Sequence, residues 1–394
     1  MNGKIYIEVT VDQRNYGNER ICGDVFISRK VKEENRTIAV LSDGMGHGVK
    51  ANVLATLTAT MAVNFSMEHK APEKIAEIIM STLPVCSERQ MSYSTFTIVD
   101  IEHEGHTTIL EFDNPGTLIL RNNESFDPDW KTLEMKGEQN NGKILRSCSF
   151  LPMKEDRILF CSDGIAQSGL GSDKYPLGWG VDNIREHALK LVKNSPKISA
   201  VKLASKMVNI AHRNDGYFSM DDTSCASIYF REPRKLLVAT GPPYEKENDD
   251  QLGKAVRKFR GKKVVCGATT ADIVARELGV EIVDSLVFDD PELPPLSQMD
   301  GIDLVSEGIL TLTKVTRLLK DFDASFQPGK GPADRILKLL QQSDEIEFII
   351  GTRINIAHQD PNLPVELEMR RTVVKRMARL LEEKFLKEVS ISYI

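Results

Sequence analysis

The rhythm of apolar runs changes once along the chain, at the segment REPRK (Arg231 to Lys235), and this constrains the fold more than any other feature. Before it, short runs rich in Val, Ile, Thr and Phe follow one another: IYIEVTV, GDVFISRKV, TIAVLSDG, STFTIVDIE, TTILEFD, GTLILR, RILFCSDG and SCASIYF. Several alternate with period two and most end in Gly, Asn or Asp, which predicts strands. Three helical patterns lie between them: GVKANVLATLTATMAVNFSMEH, PEKIAEIIMSTLP and ISAVKLASKMVNIAHR. Strand runs with few long helices and no strict alternation predict α+β architecture, antiparallel sheets covered by helices. After REPRK, strands and helices alternate: LLVATGPP then QLGKAVRKF, KKVVCGATT then ADIVAREL, DGIDLVSEGI then TLTKVTRLL. That pattern predicts an α/β domain with a parallel sheet. The expected organisation is therefore two domains, residues 1–231 and 232–394, the last helix running over VELEMRRTVVKRMARLLEEKFLKEV.

Composition narrows the function classes. With 51 Lys plus Arg against 57 Asp plus Glu, the net charge of -6 argues against a non-specific nucleic-acid binder, whose footprint is basic. No apolar run reaches the roughly 18 residues that cross a bilayer, and the opening MNGKIYIEVTV alternates like a strand, so no membrane association and a cytoplasmic location are expected. The six cysteines (Cys22, Cys86, Cys148, Cys161, Cys225, Cys266) form no CxxC pair and read as small buried apolar residues.

Four aspartates stand where apparent strands end in a tight turn: Asp24 in ICGDVF, Asp43 in VLSDGMGHG, Asp163 in FCSDGIAQ and Asp221 in SMDDTSCASI. Gly44 and Gly164 suit a sharp turn after two of them. An Asp-Gly pair is commonly a turn former and nothing more. Gathered in one cleft, however, such carboxylates repel one another unless hard cations such as Mg²⁺ or Mn²⁺ bind between them. Two such ions could clamp a phosphate and activate a water for phosphoester hydrolysis.

DGMGHG between a strand and an Ala-rich helix, SDG ending a second strand and DDTS opening a third resemble the metal-dependent serine/threonine phosphatases (the PPM family), in their bacterial SpoIIE-like branch. The motifs occur in family order over residues 1–231, with GD at Asp24 and an NPG turn at Asn114, and do not extend into the second domain. The resemblance implies an αββα sandwich of two antiparallel sheets flanked by helices, two Mn²⁺ or Mg²⁺ ions, and direct attack of activated water on phosphoserine or phosphothreonine without a covalent phosphoenzyme. It implies that Asp43 bridges both ions, that the Gly44 carbonyl and Asp24 serve one, and that Asp163 and Asp221 hold the other. Asp222 is a supporting position. The implied partner is a phosphorylated bacterial signalling protein such as an anti-sigma-factor antagonist. The branch usually carries its phosphatase behind a sensor or membrane segment, whereas here it starts at residue 1 and the extra domain follows. Helices at 49–69 and 73–84 are where the branch is thought to switch metal binding. Competing readings are a non-catalytic phosphoprotein-binding module and a small-molecule phosphohydrolase.

Nearby residues carry two readings each. His47 suits a leaving-group acid or a plain loop histidine. Arg20 suits a phosphate-gripping guanidinium or a solvated charge. Ser42 and Ser162 have no identifiable base, so nucleophilic serine chemistry is not expected. In the second domain, Thr240-Gly241-Pro242, Gly267-Ala268-Thr269-Thr270, Ser306-Glu307-Gly308 and Gly351-Thr352-Arg353 follow strands, where open α/β sheets bind ligands. They equally suit helix caps and turns. With neither GxGxxG nor a Walker sequence, no nucleotide cofactor is indicated. A small ligand in this domain and a homodimer both stay open. The cationic positions Arg370, Arg371, Lys375, Arg376 and Arg379 read as a solvated helix face.

Overall fold

A computed structural model describes residues 4–31, 33–82, 94–102, 105–135, 142–285, 287–322, 329–353 and 364–394. Cys86 and the expected end of the second helix at 83–84 lie outside the described residues. The chain divides into two compact units, Met1–Glu232 and Pro233–Ile394.

The first unit holds strands β1 (Tyr6–Arg14), β2 (Val25–Val31), β3 (Arg36–Gly44), β4 (Ser94–Ile101), β5 (Thr107–Phe112), β6 (Leu118–Arg121), β7 (Glu124–Phe126), β8 (Lys131–Glu134), β9 (Ile144–Phe150), β10 (Arg157–Cys161) and β11 (Thr223–Arg231). Its helices are α1 (Gly48–Met67), α2 (Pro72–Thr82), α3 (Asp163–Ala166), α4 (Gly180–Asn194) and α5 (Ala200–Asn214). One sheet runs β1-β11-β10-β6-β7 and the other β2-β3-β4-β5-β9-β8, and every pairing in both is antiparallel.

Period-two alternation explains why these strands are apolar on both faces. Along β3, Ala39 and Leu41 enter the core between the sheets, while Ile38 and Val40 pack under α1 and α2. Along β10, Ile158 and Phe160 face the same central core, and Leu159 and Cys161 pack under α4 and α5. The result is the expected αββα sandwich. Five elements escaped the sequence reading, among them the four-residue α3, which stands where a tight turn was expected. β7 and β8 are short and largely exposed, and β9 is buried at only a few positions. α4 buries Ile184, Ala188 and Val192 at four-residue spacing behind a Trp179 that makes no side-chain cap bond.

The second unit holds β12 (Lys235–Thr240), α6 (Asp249–Lys258), β13 (Lys262–Cys266), α7 (Ala268–Leu278), β14 (Ile282–Asp284), β15 (Ser297–Met299), β16 (Ile302–Ser306), α8 (Ile309–Asp321), α9 (Pro332–Gln342), β17 (Glu345–Ile350), α10 (Pro364–Glu383) and β18 (Glu388–Tyr393). Its sheet, β14-β15-β16-β13-β12-β17-β18, is mixed rather than wholly parallel. The five strands from β16 to β18 run parallel, and β15 is antiparallel to both its neighbours. Helices α6 and α7 cover one face, and α8, α9 and α10 the other. The last helix stops earlier than expected. Leu386 takes a left-handed φ of 54°, and the β-branched segment beyond it pairs with β17 as β18.

Among the described cysteines, Cys148, Cys161, Cys225 and Cys266 are buried as expected, and Cys22 is only half-buried. No described helix is long and apolar enough to cross a membrane.

Candidate metal centre

Asp43 closes β3, Asp24 immediately precedes β2, Asp163 opens α3 directly after β10, and Asp221 and Asp222 lead into β11. The strand pairings β2 to β3 and β10 to β11 bring these ends to one side of the sandwich. The carboxylates feel one another. Asp43 is acted on by Asp24, Asp163 and Asp221, and is in hydrogen-bond contact with Asp163. All four aspartates singled out in the sequence thus share one cluster.

Its electrostatics are those of crowded, unneutralised acids. Burial, then the field of neighbouring acids, pushes Asp43 well above the usual carboxylate range. Burial also pushes Asp24 up to about 7 against hydroxyl hydrogen bonds from Ser224 and Ser162, with Asp222 and Asp221 adding to the rise. Asp221 rises to about 6 through burial and the field of Asp163. His47 is the one basic group among the leading influences on these carboxyls, and it acts on Asp221.

Surrounding residues fix the positions. Ser224 Oγ donates to Asp24 Oδ2 at 2.6 Å and receives Gln13 Nε2 at 2.9 Å. Tyr16 N donates to Asp222 Oδ1 at 2.9 Å, and Asp222 N to Asp221 Oδ1 at 2.8 Å. Gln167 Nε2 donates to Asp163 Oδ2 at 2.6 Å. Ser94 Oγ donates to the Asp43 carbonyl at 2.9 Å. The Asn114 side chain is tied to Thr95 and Thr97 of β4, at 2.5 and 3.0 Å.

The glycines act differently from the turn role read in the sequence. Neither Gly44 nor Gly164 has a positive φ. A Cβ on Gly44 would lie 2.1 Å from the Ala51 carbonyl oxygen of α1, and one on Gly164 2.2 Å from that of Asp222. Each lets backbone approach backbone, drawing α1 and the start of β11 against the acidic strand ends.

Ser224 and Gln13 were missed in the sequence because a serine or glutamine in a strand carries no positional signal. Asp222 is buried, 2% exposed. His47 is exposed, stacked on Tyr16 at 4.5 Å, with Nδ1 3.1 Å from Glu19 Oε1. Arg20 is exposed. Ser42 Oγ is bound to Ser94 Oγ at 2.6 Å and to the Thr95 carbonyl, a clip between strands rather than a nucleophile.

As the structure stands, no group of three or more His, Cys, Asp or Glu side chains among the described residues is placed to hold a metal ion. The donor chemistry nevertheless suits a hard divalent cation, since every acid of the cluster offers oxygen. Asp24 Oδ1 and Asp222 Oδ2 are buried without a hydrogen-bond partner, so acceptor capacity is left over beside the cluster.

The profile of the Stage II sporulation protein E (SpoIIE) family matches residues 33–230. The chain belongs to the SpoIIE family. This SpoIIE-family chain is similar to several solved structures. The phosphatase domain of SpoIIE from Bacillus subtilis is 14% identical, with 59% of this chain and 95% of that one covered at a TM-score of 0.43. The RsbU and RsbW domains of Rv1364c from Mycobacterium tuberculosis are 16% identical, with 64% and 67% covered at 0.46. RsbX in complex with magnesium is 19% identical, with 57% and 95% covered at 0.41. No curated protein sequence matches the chain.

Proposed function

We propose that the first unit is a Mn²⁺- or Mg²⁺-dependent phosphatase acting on phosphoserine or phosphothreonine of a bacterial signalling protein, an anti-sigma-factor antagonist being the favoured class. One observation carries this reading: carboxylates from four distant segments are folded into a single cluster, Asp24 buried and Asp43, Asp163 and Asp221 half-buried, whose leading influences include no Lys or Arg. Such a cluster is costly to a fold that has no cation to place there, so a purely structural role is disfavoured.

Asp43, Asp24, Asp163, Asp221 and the Gly44 carbonyl would hold the ions. Bound there, the metal would supply a Lewis acid for the phosphoryl oxygens and a nucleophilic water near neutral pH. The chain's own contribution is placement. Ser224 keeps one oxygen of Asp24 turned into the cluster and leaves Oδ1 free. Gln167 donates to Oδ2 of Asp163, whose carboxyl also meets Asp43. The seat of Ala51 on Gly44 sets where Asp43 stands relative to α1. Glu19 and Tyr16 hold His47 at the rim, beside Asp221. The second unit would be an appended domain of regulatory character.

The test is hydrolysis of p-nitrophenyl phosphate and of a phosphoserine protein with Mn²⁺ present. Activity should require the metal and fall at least about a thousandfold in Asp43→Asn. Turnover that survives both chelation and that substitution would remove the proposal. Hydrolysis of the small ester with every phosphoprotein tried left intact would replace the substrate class.

A further inference from the structure

The second unit carries a cavity of about 650 Å³ beside the carboxyl end of its sheet, walled by α7, β14, the following loop and the end of β16. This volume lies within the range that holds a small organic ligand. Its apolar walls are Ile282, Phe288, Pro294, Pro295 and Val305. Phe288 is 70% exposed, an aromatic face open at the cavity rather than packed into the core. Its polar walls are one-sided. Asp272, Asp284 and Glu307 line it with the hydroxyls of Ser285, Ser297 and Ser306, and no Lys, Arg or His is among the lining residues.

Glu307 stands just past the end of β16. Its Oε2 is buried and has no hydrogen-bond partner. As a lining residue, Glu307 brings to the cavity a carboxylate that the structure leaves short of a donor. The other two acids sit elsewhere on the wall. Asp284 ends β14, which is separated from β16 by β15, so it emerges about 10 Å from the strand that ends before Glu307. No group of three or more His, Cys, Asp or Glu among the described residues is placed to hold a metal ion, and the spread of the acids suits an elongated molecule. Asp284 Oδ1 already accepts from Ser297 Oγ at 2.7 Å. The start of α7 also borders the cavity at Ala268, and a helix N-terminus favours anions. Its field, equivalent to about half a positive charge, is set against three full negative ones.

We propose that this cavity binds a small organic cation, a protonated amine on an apolar body, with the ammonium donating to Glu307 and the body resting against Phe288 and the two prolines. The site is independent of the phosphatase reading of the first unit, and neither result below bears on it.

The test is calorimetric titration of the full chain with three probes that share a hydroxyphenyl body: tyramine, the neutral tyrosol and the anionic 4-hydroxyphenylacetate. Tyramine should bind, and the other two should bind at least about tenfold more weakly. Glu307→Gln should weaken tyramine by about tenfold or more, as should Asp272→Asn, an exposed helical position that tolerates the change. Near-ultraviolet circular dichroism checks that both variants keep their fold. Binding of tyrosol or the carboxylate as tight as that of tyramine overturns the proposal. So does tyramine affinity unchanged in Glu307→Gln, or no tyramine heat at millimolar concentration.

Discussion

Asp24→Asn should stabilise the first unit in the absence of metal while removing its response to metal. Asp24 is 2% exposed, and its folded-state pKa is about 7 against an ordinary 3.8. For an acid raised in this way, the stabilising contribution is complete below pH 3.8 and is lost as pH climbs through 7. At about 1.4 kcal/mol per pH unit, the gap sets a ceiling of about 4 kcal/mol of destabilisation at pH 8. Asparagine carries no charge and keeps an oxygen for Ser224, so the variant should recover about half of that or more. With a urea slope of about 2 kcal/mol per molar, the midpoint in EDTA at pH 8 should rise by about 1 M. The chain's two tryptophans, Trp130 and Trp179, both lie in the first unit, so tryptophan fluorescence reports its unfolding alone. Wild-type stability in EDTA should fall between pH 5 and 8, and the variant's should fall less. Mn²⁺ should stabilise wild type and leave the variant unmoved. A variant less stable than wild type at pH 8 in EDTA, with the same pH slope, would refute the account of a strained carboxylate cluster.

Gly44→Ala should destabilise the first unit by at least about 2 kcal/mol, because its Cβ would meet the Ala51 carbonyl oxygen at 2.1 Å; urea unfolding reads this directly. Ser224→Ala should weaken Mn²⁺ binding by roughly tenfold or more through loss of the 2.6 Å bond that orients Asp24, measured as the Mn²⁺ concentration giving half-maximal activity. Gly351→Ala should destabilise the second unit, since its Cβ would stand 2.1 Å from the Gly241 carbonyl oxygen; hydrogen exchange along β12 and β17 would report the loosening.

The sandwich was legible because most of its strands are apolar on both faces and end in turn residues, so their identity survives without tertiary context. Edge strands such as β8, whose four residues are all exposed, carry no such signal. The acidic positions were legible as a set through the order of their motifs, whereas composition alone left each as an ordinary turn. What holds them could not be read. Ser224, in β11 of one sheet, lies 200 residues from Asp24, at the start of β2 in the other, and only the packing of the two sheets brings its hydroxyl across. The glycine roles were misassigned for a related reason: a sequence shows that a side chain is missing but not whether the space belongs to a bend or to another chain segment. The expected helix runs on into the first two residues of β18 because the basic, leucine-rich pattern before it continues smoothly to Leu386, where a single left-handed residue changes the outcome.

In the second sheet, β12 is the first strand of its unit, with β13 on one side and β17 on the other, so successive connections depart from it in opposite directions. Sheets wound this way generally part at that point and admit a ligand. Here Gly351 N bonds the Thr240 carbonyl at 2.9 Å and Arg353 N the Pro242 carbonyl at 3.1 Å, so the two chains stay laced together past the strand ends. The usual doorway is sewn shut, and the antiparallel β14–β15 excursion has opened a side entrance several strands away. Recognition rules calibrated on open sheets of this winding would therefore search the right edge of the domain at the wrong strands.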